Sequence, residues 1–184
     1  NRPESFHSEF KNVVAIGNLS ARKGFDNLLK VFSELKNEKF KLHILGDGRD
    51  KELLQQMKED LGLENVIFHG RQSNPYQFLS HADYLRSKIF CMTSRYEGFP
   101  NVLLEAGACG TYALANDCPG GIREIIQEGV NGEIATIENY AEFGNAIKKS
   151  LQQNHDFNQI QNSIKNRFSK EIILQQYEKL LESI

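Results

Sequence analysis

The sequence predicts an α/β fold in which an open parallel sheet carries helices on both faces. The first observation is that short apolar runs alternate along the chain with longer segments of helical periodicity. The second is the run at residues 89–93, whose continuous apolar character favours a strand buried on both faces. Ligands of such sheets bind at the carboxyl ends of the strands, so the loops that follow the strands are the candidate sites of function.

The predicted elements follow one another in a regular order. Apolar runs predict strands at residues 13–16, 40–45, 66–68, 89–93, 112–115 and 132–135. Helical periodicity predicts helices at residues 25–36, 50–61, 75–86, 101–108 and 122–128, and helical structure from residue 139 to the end. Pro75 suits a first helical turn, and Asn101 is a candidate helix cap. A chain of 184 residues with 40% hydrophobic residues is long enough for one globular core.

Composition narrows the class of function. A net charge of -2, with the two signs interspersed, excludes the basic surface typical of a nucleic-acid-binding protein. The sequence contains no long apolar run, and residues 1–12 do not resemble a signal peptide. Cys91, Cys109 and Cys118 lack metal-type spacing, and the first two fall in segments expected to be buried, which is typical of reduced thiols in a cytoplasmic protein. No carboxylate or histidine cluster has metal-site spacing, so we expect no metal.

The stretch at residues 94–105 is the strongest candidate ligand site. It places one carboxylate, Glu97, before a Gly/Pro turn and another, Glu105, about two helical turns inside the following helix. The first N–H groups of a helix lack intrahelical partners and favour an anion, most often a phosphate. A carboxylate is a natural bidentate acceptor for neighbouring sugar hydroxyls. The two glutamates are therefore predicted to face one ligand from different sides.

The loop after the first strand is the second candidate. Residues 17–26 read GNLSARKGFD, in which two glycines bracket the basic pair Arg22 and Lys23 before a helix. A cation at this position would neutralise a diphosphate leaving group.

Three other strand-end loops are weaker candidates. The loop at residues 46–51 lacks the third glycine of a dinucleotide-binding fingerprint and is interpreted as a tight structural turn. His69 is interpreted as a structural histidine at the end of a strand. For Gly120 and Gly121, turn chemistry and a ligand role are left as equal alternatives.

Several ordered motifs together carry a resemblance to a known family. The segment SRYEGFPNVLLEAGACG, with its two glutamates, is followed by NDCPGGIREIIQEGVNGEI. Over nearly the whole chain this pattern resembles the donor-binding half of glycosyltransferase family 4, whose members are retaining sugar transferases of the GT-B fold. The resemblance implies that the sheet is Rossmann-like and forms the carboxyl-terminal half of a GT-B glycosyltransferase.

The resemblance also implies roles for individual residues. Glu105 holds the nucleotide ribose, while Glu97 and the backbone after it contact the donor sugar. The backbone after Gly70 lies near the nucleobase. Lys23 matches the lysine of the family's first loop, but Asn18 stands where the family has an arginine, and the sequence leaves open whether Arg22 reaches the site. The resemblance thus implies Glu97 as the catalytic residue and a donor-binding set of Gly17, Lys23, Arg71, Gly98, Phe99, Pro100, Asn101, Val102 and Glu105.

At the level of the whole protein, the resemblance implies transfer of a sugar from a UDP- or GDP-sugar to a glycan or lipid-linked acceptor in polysaccharide or glycoconjugate synthesis. Residues 1–12 are then an interdomain linker remnant and residues 13–184 the donor-binding domain, with an amino-terminal acceptor domain absent. The nucleotide-diphosphate sugar is a co-substrate, and no other cofactor is expected. We expect a cytoplasmic location, with peripheral membrane association of the full-length protein left open. The alternatives are a nucleotide-sugar epimerase of the same architecture and a non-catalytic nucleotide-binding module.

Overall fold

The structure, a computed structural model, describes residues 10–79 and 87–183. The described residues form one sheet of six parallel strands in the order β3-β2-β1-β4-β5-β6. The strands are β1 (Lys11–Ile16), β2 (Phe40–Leu45), β3 (Val66–Gly70), β4 (Ser87–Met92), β5 (Tyr112–Asn116) and β6 (Gly132–Ala135). The helices are α1 (Phe25–Glu34), α2 (Lys51–Asp60), α3 (Tyr76–Leu79), α4 (Asn101–Ala108), α5 (Ile122–Ile125), α6 (Tyr140–Gln152), α7 (Phe157–Phe168) and α8 (Lys170–Glu182). The α/β prediction is therefore confirmed.

Helices cover both faces of the sheet, as the sequence predicts. Alternate residues of β1 point to opposite faces, so that Val13 and Ala15 enter one apolar core while Val14 enters the other. The first core is completed by residues of α1 and α6, among them Phe32 and Phe143. The second core includes Leu103 and Ala106 of α4 and Ile164 of α7.

Some boundaries differ from the predictions. The helix predicted at residues 122–128 ends at Ile125, because Ile126 adopts an extended conformation. The helical carboxyl-terminal segment is divided into three helices. The side chains of Asn139 and Asp156 accept hydrogen bonds from the first turns of α6 and α7, and Ser169 separates α7 from α8. The helix predicted at residues 75–86 is seen as α3, and its remainder lies outside the described residues.

Two residues away from the sheet's carboxyl edge make close packing contacts. Gly107 lets α7 lie close to α4, because a Cβ atom there would be 2.5 Å from Cγ1 of Ile164. The Tyr112 ring stacks on His155 with 3.7 Å between ring centroids, and its hydroxyl donates to the Gly132 carbonyl at 3.0 Å.

Cys91 and Cys118 are buried and Cys109 is half-buried, with all three thiols free. No helix within residues 10–79 and 87–183 has the length and apolar content required to cross a bilayer.

A pair of histidines, of which His43 is buried and His69 half-buried, links the three strands on one side of the sheet. Nε2 of His43 lies 3.0 Å from Oδ1 of Asn12, and Nδ1 of His43 lies 2.9 Å from Nε2 of His69. Since the Asn12 oxygen only accepts, His43 donates to it and accepts from His69. Burial lowers the pKa of His43 to about 4, and the neighbouring His69 and Lys41 act in the same direction. His43 is therefore neutral in the folded protein at neutral pH.

Stability is expected to fall in acid because of His43. Its folded-state pKa of about 4 lies below the ordinary value of 6.5, so the unfolded chain takes up the proton first as the pH falls. Stability is full above pH 6.5, and at about 1.4 kcal/mol per pH unit the loss by pH 4 is about 3 kcal/mol. Urea unfolding at pH 7 and at low pH, compared with a His43→Asn variant, measures this contribution, because all other acid-sensitive groups are common to both proteins. A constant difference between the two proteins across this range would contradict it.

Candidate functional site

The reversal of strand order places two loops at the centre of the carboxyl edge. Strands β1 and β4 are neighbours, while the strands that follow each of them lie on opposite sides. Their loops, here called the β1 loop (residues 17–24) and the β4 loop (residues 93–100), thus diverge over a crevice. A crevice at such a point is the usual ligand site of an open parallel sheet.

A cleft of about 500 Å³ lies at the carboxyl ends of β1, β2 and β3. Gly17 and Arg71, two of the predicted donor-binding residues, line this cleft. Asn18 lines it as well, so the position at which the family has an arginine faces the cleft with a neutral side chain. The cleft is large enough for a small-molecule ligand.

The loop after β2 supports the wall of this cleft. Gly46 has a φ of +137°, and a Cβ atom there would lie 1.8 Å from the carbonyl oxygen of Gly17. The backbone of Leu19 donates to Asp47 and accepts from Asp50, each at 3.0 Å. The interpretation of residues 46–51 as a structural turn agrees with these contacts, since the loop's backbone supports the β1 loop directly.

Both basic residues of the β1 loop reach Glu97 in the β4 loop. Nζ of Lys23 lies 2.5 Å from Oε1 of Glu97, and Nη1 of Arg22 lies 2.7 Å from Oε2. The Ser94 hydroxyl also donates to Oε1 at 2.7 Å. We call these four residues the Glu97 cluster. The sequence left open whether Arg22 reaches the site. In the structure, Arg22 joins Lys23 at the Glu97 carboxylate.

The Glu97 cluster sits at the edge of the cleft and is largely shielded from solvent. The Glu97 side chain is 6% exposed, that of Lys23 15% and that of Arg22 37%. The Lys23 side chain runs beside Gly17, a cleft-lining residue. A Cβ atom placed at Gly17 would lie 3.5 Å from Cδ and Cε of Lys23. The crevice and the cleft are therefore continuous through the β1 loop.

Glu97 is ionised at neutral pH. Burial alone would raise its pKa, but hydrogen bonds from Lys23, Ser94 and Arg22 and the charge of Lys23 together hold the pKa below its usual range. The Glu97 cluster carries two positive charges and one negative charge. Glu97 is thus a fixed anion here, and it holds no proton to donate.

A further ion pair, outside the Glu97 cluster, fixes the two loops to each other. The Arg95 guanidinium contacts both carboxylate oxygens of Asp26 in α1, at 2.8 and 2.7 Å. The Arg95 N–H donates to the Arg22 carbonyl at 2.8 Å, and the Thr93 hydroxyl donates to that of Gly24 at 3.0 Å. Sequence reasoning missed this pair, whose only signal was one charged residue in each of two loops predicted to lie side by side. It positions the cations of the β1 loop against Glu97.

The β4 loop is also held from the β5 side. The N–H of Glu97 donates to the Pro119 carbonyl at 2.9 Å, and the Gly121 N–H donates to the Gly98 carbonyl at 2.8 Å. Gly120 has a φ of +130°, and a Cβ atom there would be 2.1 Å from the Glu97 carbonyl oxygen. Gly120 is therefore needed where the two loops meet, which favours the structural alternative for this position.

The start of α4 differs in detail from the prediction. Pro100, not Asn101, is the cap residue, and Asn101 is the exposed first residue of the helix, so its prediction as the cap was wrong. The Phe99 side chain lies beside Gly121, and its ring centre is 6.0 Å from that of Phe168. Val102 is half-buried in the first turn.

Glu105 lies closer to the start of α4 than predicted, and apart from the Glu97 cluster. It is the fifth residue of the helix, so it lies a little over one turn inside, not two. Its side chain is half-buried, and burial raises its pKa. It does not line the cleft and forms no ion pair with any residue in the described ranges. The structure therefore brings Gly17, Lys23 and Glu97 together and leaves Glu105 on the adjoining helix.

Gly98 and Gly17 are not required as glycines by the protein itself. No atom lies within 4 Å of a Cβ placed at Gly98, and a Cβ at Gly17 would make only ordinary contacts. Neither has the positive φ that demands glycine. Glycine at such positions leaves room for a ligand to approach the backbone. Within the described ranges, no group of three or more histidine, cysteine or acidic side chains is arranged to hold a metal ion.

Comparisons with known proteins agree on one family. The family model described as "Glycosyl transferases group 1" matches residues 1–167. A lipopolysaccharide 1,6-galactosyltransferase of Salmonella typhimurium is 39% identical over 113 residues, which is 61% of this chain and 30% of that protein. The corresponding Escherichia coli protein is 31% identical over 152 residues, or 81% of this chain and 42% of that protein.

A solved structure described as the apo form of the lipopolysaccharide outer core galactosyltransferase WaaB matches with a TM-score of 0.86 and 27% identity. The match covers 97% of this chain and 51% of that one. The Anabaena protein HepE, solved in complex with UDP-glucose, matches with a TM-score of 0.78 and 25% identity over 96% of this chain and 50% of that one. This chain therefore spans about half the length, or less, of these relatives.

Proposed function

This chain belongs to the family of group 1 glycosyl transferases, and we propose that it is the half that binds the nucleotide-diphosphate sugar in a retaining enzyme of the GT-B fold. The enzyme moves a sugar from that donor to a glycan or lipid-linked acceptor. A UDP-sugar is the donor we test first, because the similar HepE structure contains UDP-glucose. The acceptor is bound mainly by a second domain.

The meeting of Lys23 with the β4 loop at the edge of the cleft carries this proposal. Lys23 and Arg22 supply two cations at a crevice that also receives the amino end of α4. An α-helix amino terminus and a pair of cations both favour a phosphate group. The cleft beside them, lined by Gly17 and Arg71, has room for the nucleoside.

Backbone approach is the second support. Gly17 lies at the cleft and Gly98 at the amino end of α4, and neither is needed as glycine for folding. We assign them to close contact with the donor, Gly17 on the diphosphate side and Gly98 with the Phe99–Val102 backbone on the sugar side. Glu105, on the same helix, accepts the ribose hydroxyls in this proposal.

The proposed chemistry follows from the charges. The bond between the anomeric carbon and the phosphate oxygen breaks, and the electron pair leaves with the nucleoside diphosphate. The acceptor oxygen bonds to the anomeric carbon and gives up its proton to the departing phosphate oxygen. Lys23, Arg22 and the helix amino terminus stabilise the negative charge on the leaving group, while the ionised Glu97 favours positive charge on the sugar. Each group acts on charge that grows in the transition state.

The biological setting is proposed from the relatives. The Salmonella typhimurium and Escherichia coli proteins are named for lipopolysaccharide synthesis, and we propose a role for this protein in surface polysaccharide or glycoconjugate synthesis. Such synthesis places the full-length protein in the cytoplasm, at the inner face of the membrane when the acceptor is lipid-linked.

Calorimetric titration with UDP, GDP and ADP, in the presence of a chelator, tests the proposal. We expect one of the three to bind the wild-type chain. Gly98→Ala is expected to weaken it about tenfold, because the new methyl group occupies the ligand's approach, and Glu105→Ala is expected to abolish measurable binding. Gly62→Ala serves as the control, because Gly62 follows the carboxyl end of α2 and has open space around it. Failure of all three nucleotides to bind at millimolar concentration would contradict the proposal. Binding by Gly98→Ala and Glu105→Ala as tight as that of the wild-type chain would also contradict it.

Assays of the full-length protein distinguish a glycosyltransferase from the two alternative functions. Conversion of the donor sugar without an acceptor would indicate an epimerase. Donor binding without transfer would indicate a non-catalytic module.

A further inference from the structure

We propose that the donor's diphosphate and the Glu97 carboxylate compete for the same two cations, Arg22 and Lys23, so that donor binding is an exchange of anions. This inference rests on the proposed function, and it assigns Arg22 as a second phosphate ligand. Its central claim is that a carboxylate within the site limits the affinity for the donor.

The geometry of the Glu97 cluster is that of a bound anion. Each oxygen of one carboxylate takes a different cation, Lys23 at 2.5 Å and Arg22 at 2.7 Å. A phosphate group also presents oxygens to neighbouring donors, and arginine in particular recognises carboxylate and phosphate in the same bidentate manner. The two cations are thus already aimed at a single point that an anion fills.

Arg22 is suited to exchange because it is the more accessible of the two cations. Its side chain is 37% exposed against 15% for Lys23. It gives one of its five N–H donors to Glu97, and its guanidinium lies 5.8 Å from the centre of the Tyr96 ring. Asn18, which lines the cleft in the same loop, is neutral, so Arg22 and Lys23 supply the positive charge of the β1 loop.

The surrounding charges leave the diphosphate no other cation in the two loops. Arg95 is committed to Asp26 through both of its terminal nitrogens. Within the Glu97 cluster, one carboxylate already offsets one of the two positive charges. A diphosphate held by the same cations beside an unmoved Glu97 would place like charges at contact distance, which is unfavourable in a shielded site. Repulsion between the two anions therefore favours exchange over simultaneous binding.

The exchange requires movement of one side chain only. The Glu97 backbone is fixed by its bond to Pro119 and by the contact of its carbonyl with Gly120. The Arg95–Asp26 pair holds the adjoining residues in place. Rotation of the Glu97 side chain thus frees the cations without rearrangement of the β4 loop, and it leaves the carboxylate available for the role at the sugar described above.

The experiment compares the affinities of this chain for UDP and for uridine. If the first titration shows binding of GDP or ADP, the comparison is made between that diphosphate and its nucleoside, guanosine or adenosine. Glu97→Gln is expected to raise the affinity for UDP about tenfold and to leave that for uridine unchanged, because one repelling charge is removed. Arg22→Gln is expected to lower the affinity for UDP about tenfold with uridine again unchanged. Glu97→Asp, which keeps the charge, is expected to give no gain.

Glu59→Gln is the matched control, since Glu59 is an exposed carboxylate on α2 and its loss changes the net charge equally. A Glu97→Gln protein that binds UDP no more tightly than the wild type overturns the exchange. An Arg22→Gln protein with unchanged UDP affinity, alongside a Lys23→Gln protein that has lost it, overturns the assignment of Arg22 and leaves the donor-binding function standing. If the wild-type chain binds none of the nucleoside diphosphates, the proposed function itself fails. Arg22 is partly exposed, so its variant remains informative even if Glu97→Gln does not fold.

Discussion

Glu97→Gln in the full-length protein is expected to lower kcat by roughly 100-fold or more, while KM for the donor does not rise. The substitution removes the only ionised acidic group of the Glu97 cluster and so removes the charge that favours positive character on the sugar. Loss of one preorganised electrostatic contact typically costs on the order of 10² to 10³ in kcat. Because the same charge opposes the diphosphate in the ground state, KM is expected to stay constant or fall.

Steady-state kinetics with the donor varied at a fixed acceptor concentration separates these two effects. Glu59→Gln again controls for net charge and is expected to retain wild-type kcat. An unchanged kcat in Glu97→Gln would exclude a catalytic role for this residue. A raised KM with an unchanged kcat would instead make it a binding residue.

Gly46→Ala is expected to lower the free energy of unfolding by about 3 kcal/mol or more. Its φ of +137° is a conformation that residues with a side chain rarely adopt, which costs about 1–3 kcal/mol. The added Cβ would in addition overlap the Gly17 carbonyl, at 1.8 Å, and backbone cannot move aside cheaply. Since that carbonyl belongs to the cleft wall, nucleotide binding is expected to be lost as well.

Gly62→Ala provides the control for backbone conformation alone. Its φ is +64°, but no atom lies within 4 Å of the new Cβ, so it is expected to cost about 1–2 kcal/mol. Urea unfolding of both variants, with the slope m compared to confirm a common unfolded state, gives the difference due to the overlap. Equal stabilities of the two variants would show that the loop after β2 accommodates the side chain.

Strand and helix identities were predictable because local patterns determine them. The strand at 40–45 and the helix at 101–108 have their predicted bounds, and the family resemblance carried by the motif around Glu97 is confirmed by the family model and by the fold. Buried parallel strands have continuous apolar runs, and glycines mark the turns between them. The end of α5 was not predictable in this way, since its sequence continues to favour a helix beyond Ile125.

The site was only partly predictable, for a geometric reason. Lys23 and Glu97 were singled out from their loops, but their direct contact joins residues 74 positions apart in sequence. Whether Arg22 takes the place of the arginine that the family has at position 18 depends on the direction of its side chain. No local sequence pattern encodes that direction. The Arg95–Asp26 pair was missed for the same cause. Asn101 was misassigned as a cap because Pro100 takes that position, so the helix begins one residue earlier than a cap at Asn101 would allow.

The position of the Glu97 cluster between β1 and β4 has a consequence for folding kinetics. Its cations come from the first strand's loop and its anion from the fourth, and strands β2 and β3 with their helices lie between them in sequence. Parallel pairings of such separation close long loops and form slowly. Nascent chains that end before residue 97 lack the anion, so the site is completed only after strands β1 to β4 have been synthesised. A nucleotide present during refolding would accordingly act late, by stabilising the assembled sheet and not by guiding its first steps.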